Sequence, residues 1–326
     1  MAPQMIALAL LALVGLSAGL TWAARHYALR RQLLDQPGER RSHQVATPRG
    51  GGIAIVLTVL VACAAVLVID PAFLPPLGLA MTGLMLVAGI GWWDDHRPLP
   101  ALQRLAVHLV ASALLSAGVY LIGENVLQAM LLFFVTAALI NLWNFMDGIN
   151  GIASSQAIAA ALGIAWVMPM PSSAAALSVA AACLGFLPFN FPRARIFMGD
   201  VGSGALGYLM AALVGLASLA TDIAWPALLL PLSAFLVDAG FTLLSRMLSG
   251  QRWMEPHTEH VYQRWVKAGV SHARVTAYYF LCGLLGSTVL VLCHPLSPTQ
   301  QCGVAVAWWA VLTVLWHVQR GRLRDF

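Results

Sequence analysis

Along the chain, nearly uncharged apolar runs of 17 or more residues alternate with short segments that carry most of the polar residues. In lipid, only helices and closed barrels satisfy their own backbone hydrogen bonds, and these runs are too long for barrel strands. Breaks at polar, glycine and proline residues predict helices at 4–26, 51–69, 76–92, 101–121, 126–143, 151–168, 173–189, 203–220, 224–246, 275–293 and 301–318. The expected fold is therefore all-α, a single polytopic bundle of about 11 transmembrane helices over residues 1–326, with no soluble domain, internal repeat or low-complexity tract.

Charge sharpens this picture. All 18 Lys and Arg residues fall in or beside the segments after predicted helices 1, 3, 7 and 9, or in the tail with Arg320, Arg322 and Arg324. The segments after helices 2, 4, 6, 8 and 10 carry none, so the positive-inside rule puts the N-terminus outside and the C-terminus in the cytoplasm. The first run, Met5 to Ala24, has its arginines (Arg25, Arg30, Arg31) after it, the reverse of a secretory signal, and is expected to remain as a spanning helix. Composition agrees: 60% of residues are hydrophobic and 10% charged, against roughly 25% charged in soluble domains. The net charge of +5 comes without a basic tract interleaved with aromatics, so it marks topology and not nucleic-acid binding. Five cysteines, odd in number and without C-x-x-C spacing, imply no metal site.

The candidate chemistry gathers in the predicted cytoplasmic segments 27–52, 93–100, 144–151, 190–204 and 247–274. Asp94 and Asp95 are adjacent carboxylates, which repel unless a cation, a proton or hydrogen bonds offset them; a divalent metal would do so, as would a helix cap. Asn141, Asn144, Asp147 and Asn150 recur at three-residue spacing beside Gly148 and Gly151, either a polar site at a helix end or an Asx-turn and cap. Gly199 to Gly204 enclose Asp200 at the start of an apolar run, just after Arg193 and Arg195; free amides there would suit a phosphate and Asp200 a metal. His257, His260, Arg264 and Lys267 share one segment, with His260 and Arg264 on one face if it is helical, fit for a pyrophosphate or for anionic lipid. Arg40, Arg41, His43 and Arg49 precede Gly50, Gly51 and Gly52, where the backbone can approach a helix or an anion closely. Asp238 lies about 12 Å below the face by helical rise, which makes it a candidate by depth alone.

Taken together, D-x-P-x-x-R-x-x-H-x-x-x-x-P-R-G-G-G-I, DD-x-x-x-L, N-x-x-N-F-M-D-G-x-x-G, F-M-G-D-x-G-S-x-x-L-G and H-x-x-H-x-Y-Q-R follow in order from about Asp35 to Gly269. This resembles the polyprenyl-phosphate N-acetylhexosamine-1-phosphate transferases of glycosyl transferase family 4. The resemblance implies transfer of an N-acetylhexosamine 1-phosphate from a UDP-sugar to undecaprenyl phosphate with release of UMP. It also implies Mg2+, with Mn2+ as a substitute, and a multi-pass enzyme of the inner membrane acting at its cytoplasmic face. The implied setting is the first membrane step of O-antigen, lipopolysaccharide or another surface polysaccharide, with a homodimer as a candidate assembly.

Carried over by position, Asp200 is the expected metal ligand, and Asp94, Asp95 and His260 are the expected catalytic residues. Arg49, Asn144, Asp147, Asn150, Arg195, His257 and Arg264 are expected at the substrates. The chain departs from the family pattern at Tyr262 and Gln263, where the final loop usually has histidines, and at Asn150, which replaces the commoner aspartate. The muramyl-pentapeptide branch carries three consecutive histidines in that loop, so peptidoglycan precursor synthesis is disfavoured. The rival reading is a secondary transporter for an anionic substrate, which would need polar groups at the midplane and usually an internal repeat.

Overall fold

The computed structural model describes residues 3–36, 45–251 and 257–323. Arg40, Arg41 and His43 lie outside the described residues. A helix stands on each of the eleven predicted apolar segments, one of them interrupted. In chain order they begin with α1 (Pro3–Arg30), α2 (Ile53–Ile69), α3 (Leu74–His96), α4 (Ala101–Gly123), α5 (Val126–Met146) and α6 (Ile152–Val167). There follow α7 (Ser173–Asn190), α8 (Asp200–Ala220), the short α9 (Trp225–Leu228), α10 (Ser233–Leu248), α11 (Val261–Lys267), α12 (His272–Cys293) and α13 (Pro298–Arg322). Nine helical stretches among the described residues are long and apolar enough to cross a membrane; the apolar helices Ile53–Ile69 and Ile152–Val167 are shorter.

The interruption lies at Leu229–Leu232, where Pro231 removes a backbone donor and a 3-10 turn (Leu230–Leu232) joins α9 to α10. Across this break Gln156 Nε2 of α6 donates to the Pro231 carbonyl at 3.0 Å. Gly286 of α12 sits against Leu230, and a side chain there would overlap the Leu230 carbonyl.

The centre of the bundle is α8, whose residues are the most enclosed of the long helices. Neighbours approach it backbone to backbone through glycines, the usual device where lipid offers no hydrophobic drive to associate. A Cβ on Gly207 would overlap the Leu139 carbonyl of α5, one on Gly91 the Asp200 carbonyl, and one on Gly52 the Cα of Gly202. Tyr208 reaches from α8 to the Ala80 carbonyl of α3 at 2.9 Å over Gly83. By contrast α1 and α13 are largely exposed on the outside of the bundle.

One element departs from the all-α expectation. The segment after α1 makes a two-residue antiparallel ladder, β1 (Leu34–Asp35) with β2 (Thr47–Pro48). The backbone beyond β2 then runs beside the segment preceding α8. Phe197 N donates to the Pro48 carbonyl at 2.7 Å, Gly51 N to Phe197 O at 2.9 Å, and Gly52 N to Met198 O at 2.8 Å. Two motifs nearly 150 residues apart, P-R-G-G-G and F-M-G-D, are thereby hydrogen-bonded to each other.

Gly52→Val is expected to destabilise the protein by about 1–3 kcal/mol or more, because backbone on both sides of the contact has nowhere to move. Gly89→Ala, with open space around the added methyl, should leave the midpoint unchanged. Thermal unfolding of both variants in one detergent checks the difference.

Candidate active site

The polar ends of α3, α4, α5 and α8 meet at one end of the bundle. There α8 begins abruptly: Gly199 takes a positive φ of 75°, and its lack of a side chain leaves room for the Asp95 carboxylate and the Gly50 amide. Asp95, 3% exposed, places one oxygen 3.1 Å from Asp200 N and the other 3.1 Å from Val201 N. A carboxylate at a helix N-terminus satisfies free amides and complements the helix dipole. Arg49 lies over the same group, with Nε 3.8 Å from Asp95 Oδ1 and Nη2 donating to the Asp95 carbonyl.

Asp94 points the other way. One of its oxygens accepts from Leu99 N at 2.6 Å, which fixes the turn into α4, and the other accepts from Arg104 Nη1 at 3.0 Å. The same Arg104 nitrogen lies 2.7 Å from Asp200 Oδ2. Two carboxylates from different helices thus converge on one guanidinium. Asp147, on the turn after α5, is near enough that Asp200 and Asp95 add to the effect of burial in raising its carboxyl well above the usual range. Beside it, Asn144 Nδ2 donates to Ser203 Oγ at 2.8 Å and ties α5 to α8. Three carboxylates, Asp94, Asp95 and Asp200, face the guanidiniums of Arg49 and Arg104, one formal negative charge more than the cations offset.

A second polar group hangs over the Asp147 turn. His260 precedes α11, is 2% exposed, and its Nδ1 has no hydrogen-bond partner among the described residues. Its ring stacks near Phe145 and Tyr262, at 6.4 and 5.8 Å between centroids, with His257 at 4.8 Å. Burial lowers both imidazoles, His257 to about 4, with His260, Arg246 and Arg320 adding to the effect on His257. Asp238 anchors this loop: its oxygens accept from Val261 N at 2.9 Å, Tyr262 N at 3.3 Å, Tyr279 Oη at 2.6 Å and Trp316 Nε1 at 3.2 Å. Glu259 adds ion pairs to Arg246 and to Arg320 of α13.

The glycosyl transferase family 4 model matches residues 77–218, the stretch from α3 to α8 that holds Asp94, Asp95, Arg104, Asn144, Asp147 and Asp200. The chain is 32% identical to a decaprenyl-phosphate N-acetylglucosaminephosphotransferase of Mycolicibacterium smegmatis, over 95% of this chain and 89% of that protein. The chain belongs to glycosyl transferase family 4. Other relatives are a probable undecaprenyl-phosphate N-acetylglucosaminyl 1-phosphate transferase of Bacillus subtilis, at 28% identity over 82% of this chain and 79% of its own, and an undecaprenyl-phosphate alpha-N-acetylglucosaminyl 1-phosphate transferase of Thermotoga maritima, at 28% over 80% and 83%.

For this family 4 member, several expected site residues stand elsewhere or do other work. Arg195 turns away from the acids: Nη2 donates to the Pro188 carbonyl at 2.6 Å and the guanidinium lies over Phe189 at 5.0 Å. Arg264 does not share a helical face with His260, which precedes the helix; it donates to the carbonyls of Glu259 and Leu323 at 3.1 and 3.2 Å. Asn150 bonds the Pro192 carbonyl at 3.0 Å and receives Thr276 Oγ1 on its own carbonyl at 2.8 Å, a structural tie between loops. The first two amides of α8 are not free for phosphate, because Asp95 occupies them. Tyr262, at a usual histidine position, is fully buried and donates to the Phe145 carbonyl at 3.0 Å over Gly148.

Two residues escaped the motif reading. Arg104 lies inside an apolar run, where a lone guanidinium is itself the signal. Asn190, 3% exposed, accepts from Gly151 N at 2.7 Å and donates to the Ile196 carbonyl at 3.0 Å, joining the Asp147 turn to the segment before α8.

The two adjacent acids should separate on mutation. Asp95→Asn puts an N–H against backbone amides and is expected to lower the thermal midpoint along with activity, whereas Asp94→Asn should cut turnover with the midpoint nearly unchanged; parallel melting curves and assays decide it. The loop should respond to acid. His257 binds its proton less readily folded than unfolded, so its contribution to loop docking is complete above about pH 6.5 and is lost as pH falls from there toward 4. Fluorescence of Trp265, packed edge-on to Tyr278, is the readout, and His257→Gln should flatten the change.

Proposed function

We propose that the protein transfers an N-acetylhexosamine 1-phosphate, N-acetylglucosamine being the sugar in its relatives' names, from the UDP-sugar to undecaprenyl phosphate. The reaction opens the assembly of O-antigen or another surface polysaccharide at the cytoplasmic face of the inner membrane. The observation that carries this reading is the convergence of Asp94 and Asp200 on one cation inside the family-matched core. The donor set suits Mg2+, which characteristically takes one or two carboxylates and completes its shell with water and substrate phosphates. Among the described residues no three acids, histidines or cysteines form a closed metal cage, and Asp94 and Asp200 share a single guanidinium charge. Asp200 and Asp94 are the residues that would hold the ion, with Mn2+ as a substitute. Its contribution would be to neutralise the pyrophosphate oxygens.

In this reading an acceptor phosphate oxygen bonds to the donor's β-phosphorus as the bond to the UMP oxygen breaks, and UMP departs with that electron pair. The acceptor phosphate, with a second pKa near 6, is mostly dianionic at neutral pH and needs no strong base. What it needs is relief from repulsion. Asp95 holds the α8 start, and with it Asp200, in place. Arg49 supplies charge at the rim, Asn144 orients through Ser203, and the His260 ring stands beside Phe145 at the Asp147 turn. A transporter is disfavoured because Asp238, the deep acid such a path would use, has its carboxylate occupied by α10, α11, α12 and α13.

Purified protein is expected to release UMP in the presence of Mg2+ when given undecaprenyl phosphate and UDP-N-acetylglucosamine, and to form the matching lipid product. Asp200→Asn should lower the rate by about a hundredfold or more while the protein stays folded. Near-normal turnover in that variant, or UMP release without lipid product, would overturn the reading.

A further inference from the structure

Arg104 has no assigned part in the transfer as described, yet it occupies its centre. Its Nη1 lies 2.7 Å from Asp200 Oδ2 and 3.0 Å from Asp94 Oδ2, so one N–H group stands where an ion bridging those two oxygens would stand. Both acids are held by other means. Asp94 is tied to Leu99 N, and Asp200 begins a helix capped by Asp95. The Arg104 side chain is 30% exposed and that of Asp200 31%, so the guanidinium can leave toward solvent without opening a packed interface. A guanidinium carries one charge for two carboxylates; a divalent cation carries two.

We propose that Arg104 is an exchangeable counter-ion: it fills the cation position before loading, is displaced when the divalent ion enters, and then pairs with the donor's pyrophosphate. This rests on the reading that Asp94 and Asp200 hold the ion. Arginine's planar fork matches phosphate oxygens well, so the displaced side chain gains a partner only when donor is present. Cation and nucleotide sugar therefore bind cooperatively, each favouring the arrangement the other needs.

Mn2+ binding to the detergent-purified protein, read by electron paramagnetic resonance of the free ion, measures the exchange without turnover. Without nucleotide, Arg104→Gln is expected to bind Mn2+ about five- to tenfold more tightly than wild type, the scale of two partly exposed ion pairs. Arg104→Lys, which keeps the charge, should stay near wild type, and UDP-N-acetylglucosamine should tighten Mn2+ binding in wild type but little in Arg104→Gln. Equal Mn2+ affinity in wild type and Arg104→Gln, with binding lost in Asp200→Asn, would overturn the exchange and leave the metal reading standing. Weaker binding in Arg104→Gln would make Arg104 an organiser of the site and also overturn it. Wild-type protein that binds no Mn2+ removes both. Should Arg104→Gln fail to fold, the wild type still decides: Mg2+ should raise phenylglyoxal modification of Arg104, located by peptide mass spectrometry, and added nucleotide sugar should reduce it. Modification insensitive to Mg2+ overturns the proposal.

Discussion

A buried helix start has amides that nothing within the helix can satisfy, and this molecule meets that constraint twice with a carboxylate from a different helix. Asp95 of α3 closes the start of α8, and Asp238 of α10 closes the start of α11. Each acid uses both oxygens on consecutive amides. The first joint locates Asp200 opposite Asp94 and Arg104; the second suspends His260 above the Asp147 turn. An intramembrane acid is therefore here a structural fastener, and the chemistry is left to its neighbours at the polar end. The glycines serve the same geometry, since Gly91, Gly199 and Gly202 are the positions that bring the backbones close enough for a short side chain to reach.

Much of the helical framework was legible because hydropathy is a local property: each apolar run became a helix, with bounds within a few residues, although the run at 224–246, expected to be continuous, is broken at Leu229–Leu232. The motif order likewise pointed to the polar end where the acids meet. What could not be read was direction. Asp94 and Asp95 are neighbours in sequence, yet they face different partners, because successive residues on a helix diverge by roughly 100°. Arg195 and Arg264 sit in the right segments and bond to nearby carbonyls instead of the acids. Their side-chain orientation depends on which backbone oxygens lie within reach, and that is settled only when loops pack.

Other features belong to long-range pairing. The pairing of the backbone from Pro48 to Gly52 with Phe197 and Met198 unites residues nearly 150 apart in the chain, so no window of sequence contains the pattern. Tyr262 illustrates the converse. As a departure from a histidine motif it raised a question about chemistry, and its position answers in terms of packing, with its hydroxyl on the Phe145 carbonyl above a glycine that leaves room for the ring.

The outermost helix carries a mechanical consequence. Most of α13 faces outward from the bundle, yet its end holds two threads to the α11 segment, Arg320 to Glu259 and the Leu323 carbonyl to Arg264, and a third to that segment's anchor, Trp316 to Asp238. A lipid-facing helix adjusts its tilt to the thickness of the hydrocarbon around it. Any such tilt pulls on the anchor of the loop that bears His257 and His260. Tilting of α13 would act on the loop through these contacts, and bilayer thickness would then reach the site without an acyl chain touching it.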